Sequence, residues 1–235
     1  MYRRLMVVAS LVGASRPIAA QENLLIPSDR EASAQVAQIV AAADASGLPT
    51  NLIVGKVRYG VTFKSKPSKI VAAARSVVER LELARTALAP NPSQLEIERG
   101  ADALAEKATP DALRAVRHAS GRQPVLVPLG VLTQLITSKV PVKRATEIVV
   151  DLIKRGATEM QLATLGNDVQ EDVGAGRLAN VAVEDRARGL TAVLAAEPGL
   201  GGDKVSAPAP ADVSGLFGTS SSQPKSSPPR PPRRP

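Results

Sequence analysis

Catalysis through an imidazole would have to use His118, the only histidine in the chain. A general base of that kind needs a nucleophile within hydrogen-bond reach on one side and an orienting carboxylate on the other. His118 instead stands in Ala115-Val116-Arg117-His118-Ala119, at the close of a helical pattern just before Gly121. A cation at that end is favoured by the helix dipole with no reaction to perform. No serine sits in a Gly-x-Ser-x-Gly turn, so the strained, exposed nucleophile of that arrangement has no counterpart. Zinc and copper sites draw on several cysteines or histidines, and a chain with no cysteine and one histidine cannot supply them. A hard cation held by oxygen is the remaining option, and the densest acidic group is Asp168, Glu171 and Asp172. It lacks the alternating donors and turn glycine of a calcium loop, and on a helix its members point partly to different sides. The expectation is a solvated face, with no metal and no cofactor.

Three other patterns carry less chemistry than their letters promise. Gly174-Ala175-Gly176 with Ala179 has the spacing of a dinucleotide turn, but such a turn follows a strand in a βαβ unit. Here a helical pattern precedes it, so a helix stop and restart is expected. Gly55-Lys56 lacks the upstream glycine and the following Ser or Thr of a phosphate loop. Glu96, Glu98 and Glu106 could offer a carboxylic acid to a glycosidic oxygen. Single-stranded bases bind by stacking on aromatic side chains, and sugar rings use such faces too. Between residues 21 and 202 only Tyr59 and Phe63 provide any.

Whatever chemistry exists must be positioned by helices. The chain has no tryptophan, two phenylalanines and two tyrosines, so its core is Ala, Val, Leu and Ile, which suits close helix packing. Ser28 with Glu31, Ser93 with Glu96 and Thr158 with Gln161 have capping-box spacing, and Thr109 stands before Pro110 as a cap. Pro49, Pro67, Pro110 and Pro141 suit first turns, while Gly47, Gly60, Gly121, Gly156 and Gly176 suit helix ends. Between these marks apolar residues recur at helical spacing. Ile70, Ala74, Val77, Val78, Leu81, Ala84 and Leu88 share one face, as do Ala145, Ile148, Val149, Leu152 and Ile153. The fold class is therefore all-α with eight or nine helices, at 29–46, 50–59, 67–88, 94–107, 110–119, 128–138, 142–155, 159–174 and 179–195. Val125-Leu126-Val127 reads as an extended lead-in to the sixth. Gaps of 18 residues from Pro49 to Pro67, Pro92 to Pro110 and Pro110 to Pro128 leave two arrangements open, an irregular helical bundle and a short helical-repeat array.

Composition divides the chain into three parts. Residues 1–20 read as a signal peptide, with Arg3 and Arg4, an apolar stretch from Leu5 to Ala14, and the small-residue site Pro17-Ile18-Ala19-Ala20. That stretch is about half of the roughly 20 residues a bilayer-spanning helix needs. Cleavage would leave Gln21 first and place the protein in the periplasm or outside the cell of a bacterium, with no membrane-spanning segment. Residues 21–196 form the helical domain, with a hinge at 89–93 where Ala89-Pro90-Asn91-Pro92-Ser93 interrupts the pattern. From 197 the composition turns to Pro, Ser and Gly, which cannot repay ordering by burial, so 197–235 is expected to be a disordered basic tail. Its end, Ser226 to Pro235, favours polyproline II. Lys225, Arg230, Arg233 and Arg234 are its candidate contacts to an anionic surface.

A net charge of +8 invites a nucleic-acid reading, but residues 21–202 hold 22 basic and 20 acidic side chains. The excess belongs to the two ends, so no nucleic-acid partner is expected. By elimination the sequence points to an exported, non-enzymatic module of the cell envelope whose helical surface binds a protein or peptide. Carriage of an apolar ligand or lipid between Ala/Val/Leu-lined helices is the alternative, and carboxylate-dependent glycoside hydrolysis a third.

Overall fold

The computed structural model describes Ile26 and residues 29–196. Among these residues there are nine helices and no strand: α1 (Arg30–Ala45), α2 (Asn51–Thr62), α3 (Pro67–Ala87), α4 (Gln94–Ala105), α5 (Pro110–Ser120), α6 (Leu126–Thr137), α7 (Val142–Lys154), α8 (Glu159–Gly174) and α9 (Ala179–Ala196). Residues 1–20, read as a signal peptide, Ser28 and the residues 197–235 with Lys225, Arg230, Arg233 and Arg234 lie outside the described residues. No helix among the described residues is long and apolar enough to cross a membrane.

Side-chain caps set four of the nine described helix starts. Ser93 Oγ accepts from Glu96 N at 3.2 Å while Glu96 Oε2 accepts from Ser93 N at 2.9 Å. Thr158 and Gln161 make the same exchange at 3.2 and 2.8 Å, and Thr109 Oγ1 accepts from Ala112 N at 3.2 Å with Pro110 next. Each box satisfies two amides that the helix itself cannot. α1 departs from expectation: its cap is Asp29, whose carboxylate accepts from Ala32 N at 2.9 Å, a position that also sets a negative charge against the helix dipole.

Six helices stop alike. After α4, for example, Lys107 N reaches Leu104 O at 3.1 Å and Ala108 N reaches Ala103 O at 2.9 Å, which satisfies carbonyls of the last turn and requires a left-handed residue. Gly47, Gly156 and Gly176 fill that position, but so do Lys64, Lys107 and Lys139, at φ of 50°, 73° and 72°. Gly60, read as a helix end, instead lies inside α2, where a Cβ would come 2.8 Å from Ile70 Cγ1. Pro49 precedes the cap Thr50, and Pro141 is itself a cap, rather than either opening a first turn. Val125-Leu126-Val127 is not an extended lead-in, because α6 begins at Leu126. Pro128 is then its third residue, where a missing N–H breaks no helical bond, and Leu129, Leu132 and Leu135 are fully buried.

The apolar stripes become the core. Ile70, Ala74, Val77, Leu81, Ala84 and Leu88 are buried, with Val78 at their edge, and Ala145, Ile148, Val149 and Leu152 are buried with Ile153 beside them. At roughly 1.5–3 kcal/mol per buried large aliphatic side chain, such seams outweigh the weak helix propensity of Val and Ile. Every substantial contact joins a helix to the next or the next but one. α1, α3, α5, α7 and α9 follow one another in one row, and α4, α6 and α8 in a second. Neighbour-only contact is the pattern of a stacked helical array. The turn at 89–93, where the sequence places a hinge, joins two packed helices. A Cβ on Gly100 of α4 would lie 2.9 Å from Ala84 Cβ on α3 and 3.1 Å from Leu113 Cδ2 on α5.

Candidate functional site

The residues singled out for chemistry are not brought together. His118 is exposed in the last turn of α5, and Gly55-Lys56 lies within α2. Gly174 ends α8 and Gly176 takes φ 93°, as a stop and restart requires. Asp168 and Asp172 do not form a merely solvated face. Arg186 bonds Asp172 at 2.8 and 3.1 Å and Asp168 at 3.1 Å, and Arg177 bonds Asp172 at 2.9 Å. Hydrogen bonds from Arg186 hold the Asp172 carboxyl below its ordinary range, against a smaller opposing effect of burial.

Glu96 is a structural clasp. Its side chain is 10% exposed. Oε1 accepts from Arg117 Nη2 at 2.5 Å and from Val125 N at 3.1 Å. Burial alone would raise its pKa, but the Ser93 and Val125 amides and Arg117 together bring it below its ordinary value. A glycosidic acid must keep its proton near neutral pH, so this environment is the wrong one for that role. Glu98 Oε1 instead accepts a long hydrogen bond, 3.4 Å, from Asn51 Nδ2 of α2, and Glu106 caps the C-terminal end of α4 on the surface.

That Asn51–Glu98 bond spans a place where α2, which lies before the second row, makes no substantial contact with α4. The gap is a groove of about 320 Å³ floored by α3. Leu52, Gly55, Lys56 and Tyr59 line one side, Asp102 and Ala105 the other, and Val77 and Arg80 the floor. Asp102 is half-buried. Burial raises its pKa, partly offset by Arg99 and Arg80 and reinforced by Glu106. Arg80 Nη1 donates to Ser76 Oγ at 2.9 Å, and no side-chain donor among the described residues bonds the Asp102 carboxylate.

Tyr59 lines the groove and Phe63 follows it one helical turn later, outside the lining, and the two are 56% and 64% exposed. Their ring centroids are 4.3 Å apart, and Lys56 Nζ lies 5.5 Å from the Tyr59 centroid. Burying such rings would contribute roughly 1.5–3 kcal/mol each, yet the described helices place both outside. The sequence reading counted these rings as scarce and missed what their placement means. Its one usable signal was their i, i+4 spacing on a helix whose core face is Ile53, Val57 and Gly60. No protein-family model matches the chain, nor does any curated protein or solved structure.

Proposed function

We propose that the chain is an exported, non-enzymatic binding module of the cell envelope that takes a protein or peptide segment in the groove between α2 and α4. One observation carries the reading. Where α2 and α4 pack weakly, the groove holds Asp102, a half-buried carboxylate with no side-chain hydrogen-bond donor among the described residues, beside the exposed Tyr59 ring. Tyrosine is among the side chains that most often anchor a partner, and Asp102 offers an acceptor to a backbone N–H or a basic side chain. A groove of about 320 Å³ lies at the bottom of the range for small-molecule pockets. It suits two or three peptide side chains better than an acyl chain, which favours peptide binding over carriage of an apolar ligand.

Gly55 lines the groove, and a Cβ there would meet nothing within 4 Å. Gly55→Leu should therefore fill the groove without strain while raising helix propensity by about 1 kcal/mol. Peptides selected from a random displayed library on the wild-type protein should shift amide resonances of α2 and α4, and should bind Gly55→Leu at least about tenfold more weakly. A library that yields none, or peptides that bind both proteins alike, would overturn the groove. Export is tested apart from it: protein recovered outside the cytoplasm should begin at Gln21 by intact mass, and retention of residues 1–20 would remove that part of the reading.

A further inference from the structure

Basic charge is unevenly divided along the helices. Between Asp44 and Glu79 the chain carries six basic residues and no acid. Arg75 lines a groove with Glu79 and Glu82 and stands apart from the rest. Lys56, Arg58, Lys64, Lys66 and Lys69 are all exposed, and none forms an ion pair with a described residue. The same corner holds Tyr59 and Phe63, the two aromatic residues of the described chain. Phe63 is the C-terminal cap of α2, so its ring projects from the turn between two helices, immediately before Lys64.

We infer that the α2–α3 corner, from Lys56 to Lys69, docks the protein on an anionic lipid bilayer. Two features fit that partner together. Exposed lysines and an arginine with no internal carboxylate complement phosphate and carboxylate headgroups, each base contributing about a fivefold gain in partitioning near such a surface. Aromatic rings settle at the boundary between headgroup and acyl chain, and Phe63 stands at the tip to reach it. A single-stranded nucleic acid would need ring faces free for successive bases. Here the two rings cover one another, with centroids 4.3 Å apart and planes tilted by 35°, and form one apolar knob instead of two stacking platforms. The inference goes beyond the peptide-binding groove, since neither Lys64, Lys66 nor Phe63 lines it.

The chain has no tryptophan, so Phe63→Trp in the full-length protein gives a single reporter at the tip. Its emission should shift to the blue, and brominated lipid should quench it, when vesicles of phosphatidylcholine mixed with phosphatidylserine are added at low salt. Vesicles of phosphatidylcholine alone should do neither, and high salt should reverse the shift, because attraction fades within about 10 Å at 0.1 M ionic strength. Adding Lys64→Glu and Lys66→Glu should weaken binding at least about tenfold with an unchanged far-UV circular dichroism spectrum. Adding Gly55→Leu should leave the shift intact, which separates failure of the groove from failure of the corner. Sedimentation with anionic vesicles but no change in tryptophan emission would assign binding to Arg230, Arg233 and Arg234 and overturn the inference. So would a shift produced by a single-stranded oligonucleotide or polyglutamate but not by vesicles, or no binding at all.

Discussion

The α2–α3 corner and the α4–α9 body use the same charged side chains to opposite ends. Residues 93–196 hold thirteen basic and thirteen acidic residues, and the ion pairs between described residues all lie from Glu96 to Arg188. Arg144 ties α7 to Glu184 of α9 at 2.5 Å, and Arg177 and Arg186 tie α9 and its approach to the acids of α8. Those charges are answered inside the protein. From Asp29 to Leu88 there are nine basic residues and five acidic, and the corner keeps its cations and both rings facing outward. Exposed like charge gains the fold nothing and repels itself. Uncompensated surface of this kind is where the proposed contact with a bilayer would form, whereas the paired surface ties helices of the body to one another.

The largest effect should come from breaking the buried Glu96–Arg117 pair of the body. Glu96→Ala removes a capping box and leaves Arg117, whose side chain is 14% exposed, without its carboxylate; the expected loss is about 3–5 kcal/mol in chemical denaturation. A loss below about 1 kcal/mol would make the pair equivalent to a surface bridge. Because the fold holds Glu96 below its ordinary value of 4.5, its contribution is complete above that pH and is lost as pH falls through the lowered folded value. Asp102 runs the other way. Its folded pKa is raised, so acidification favours the folded form at that site, and Asp102→Asn should steepen the acid loss of stability while Glu96→Ala flattens it.

Two glycines sharpen the same contrast with opposite signs. Gly100→Ala in the body would drive a Cβ to 2.9 Å from Ala84 Cβ, which cannot rotate away, and to 3.0 Å from Leu88 Cδ1. It should cost about 1–3 kcal/mol despite the better helix former. Gly55→Ala beside the corner meets nothing within 4 Å and should gain about 0.5–1 kcal/mol. Denaturant midpoints moving in the same direction would mean that α2 is packed as tightly as α4.

The sequence carried the helices because their ends are local. Ser93, Thr109 and Thr158 act within a few residues of themselves, and the apolar stripes of α3 and α7 report burial directly. Gly60 was misread because the same residue permits both a helix end and a close approach, and only the position of Ile70 decides. α6 started early because Pro128 tolerates the third helical position as well as the first. The site was harder to read for a different reason. The groove exists because α2 and α4 pack weakly against each other, and weak packing between helices some 40 residues apart leaves no mark in either one. Tyr59, Asp102 and Arg80 come from three helices and share no spacing. The corner's charge was present in the letters, but averaging over residues 21–202 merged it with a balanced body.

The smallest expected effect isolates repulsion at the corner. Lys64 and Lys107 do the same backbone work, each left-handed after a helix, at φ of 50° and 73°. Replacing either by glycine relieves a conformation that costs a side-chain-bearing residue about 1 kcal/mol, and removes a cation that the helix dipole favours by about 0.3–1 kcal/mol. These contributions nearly cancel and are common to both sites. What differs is the company: Lys107 follows Asp102 and Glu106 and precedes Asp111, whereas Lys64 lies among Lys56, Arg58, Lys66 and Lys69. Lys64→Gly should therefore leave the protein more stable than Lys107→Gly by a few tenths of a kcal/mol, about the size of one like-charge or opposite-charge surface pair. The difference should shrink towards zero at 1 M salt, where screening acts within about 3 Å. If it persists unchanged at high salt, its origin is backbone geometry, and the corner's cations are too far apart to act as one patch.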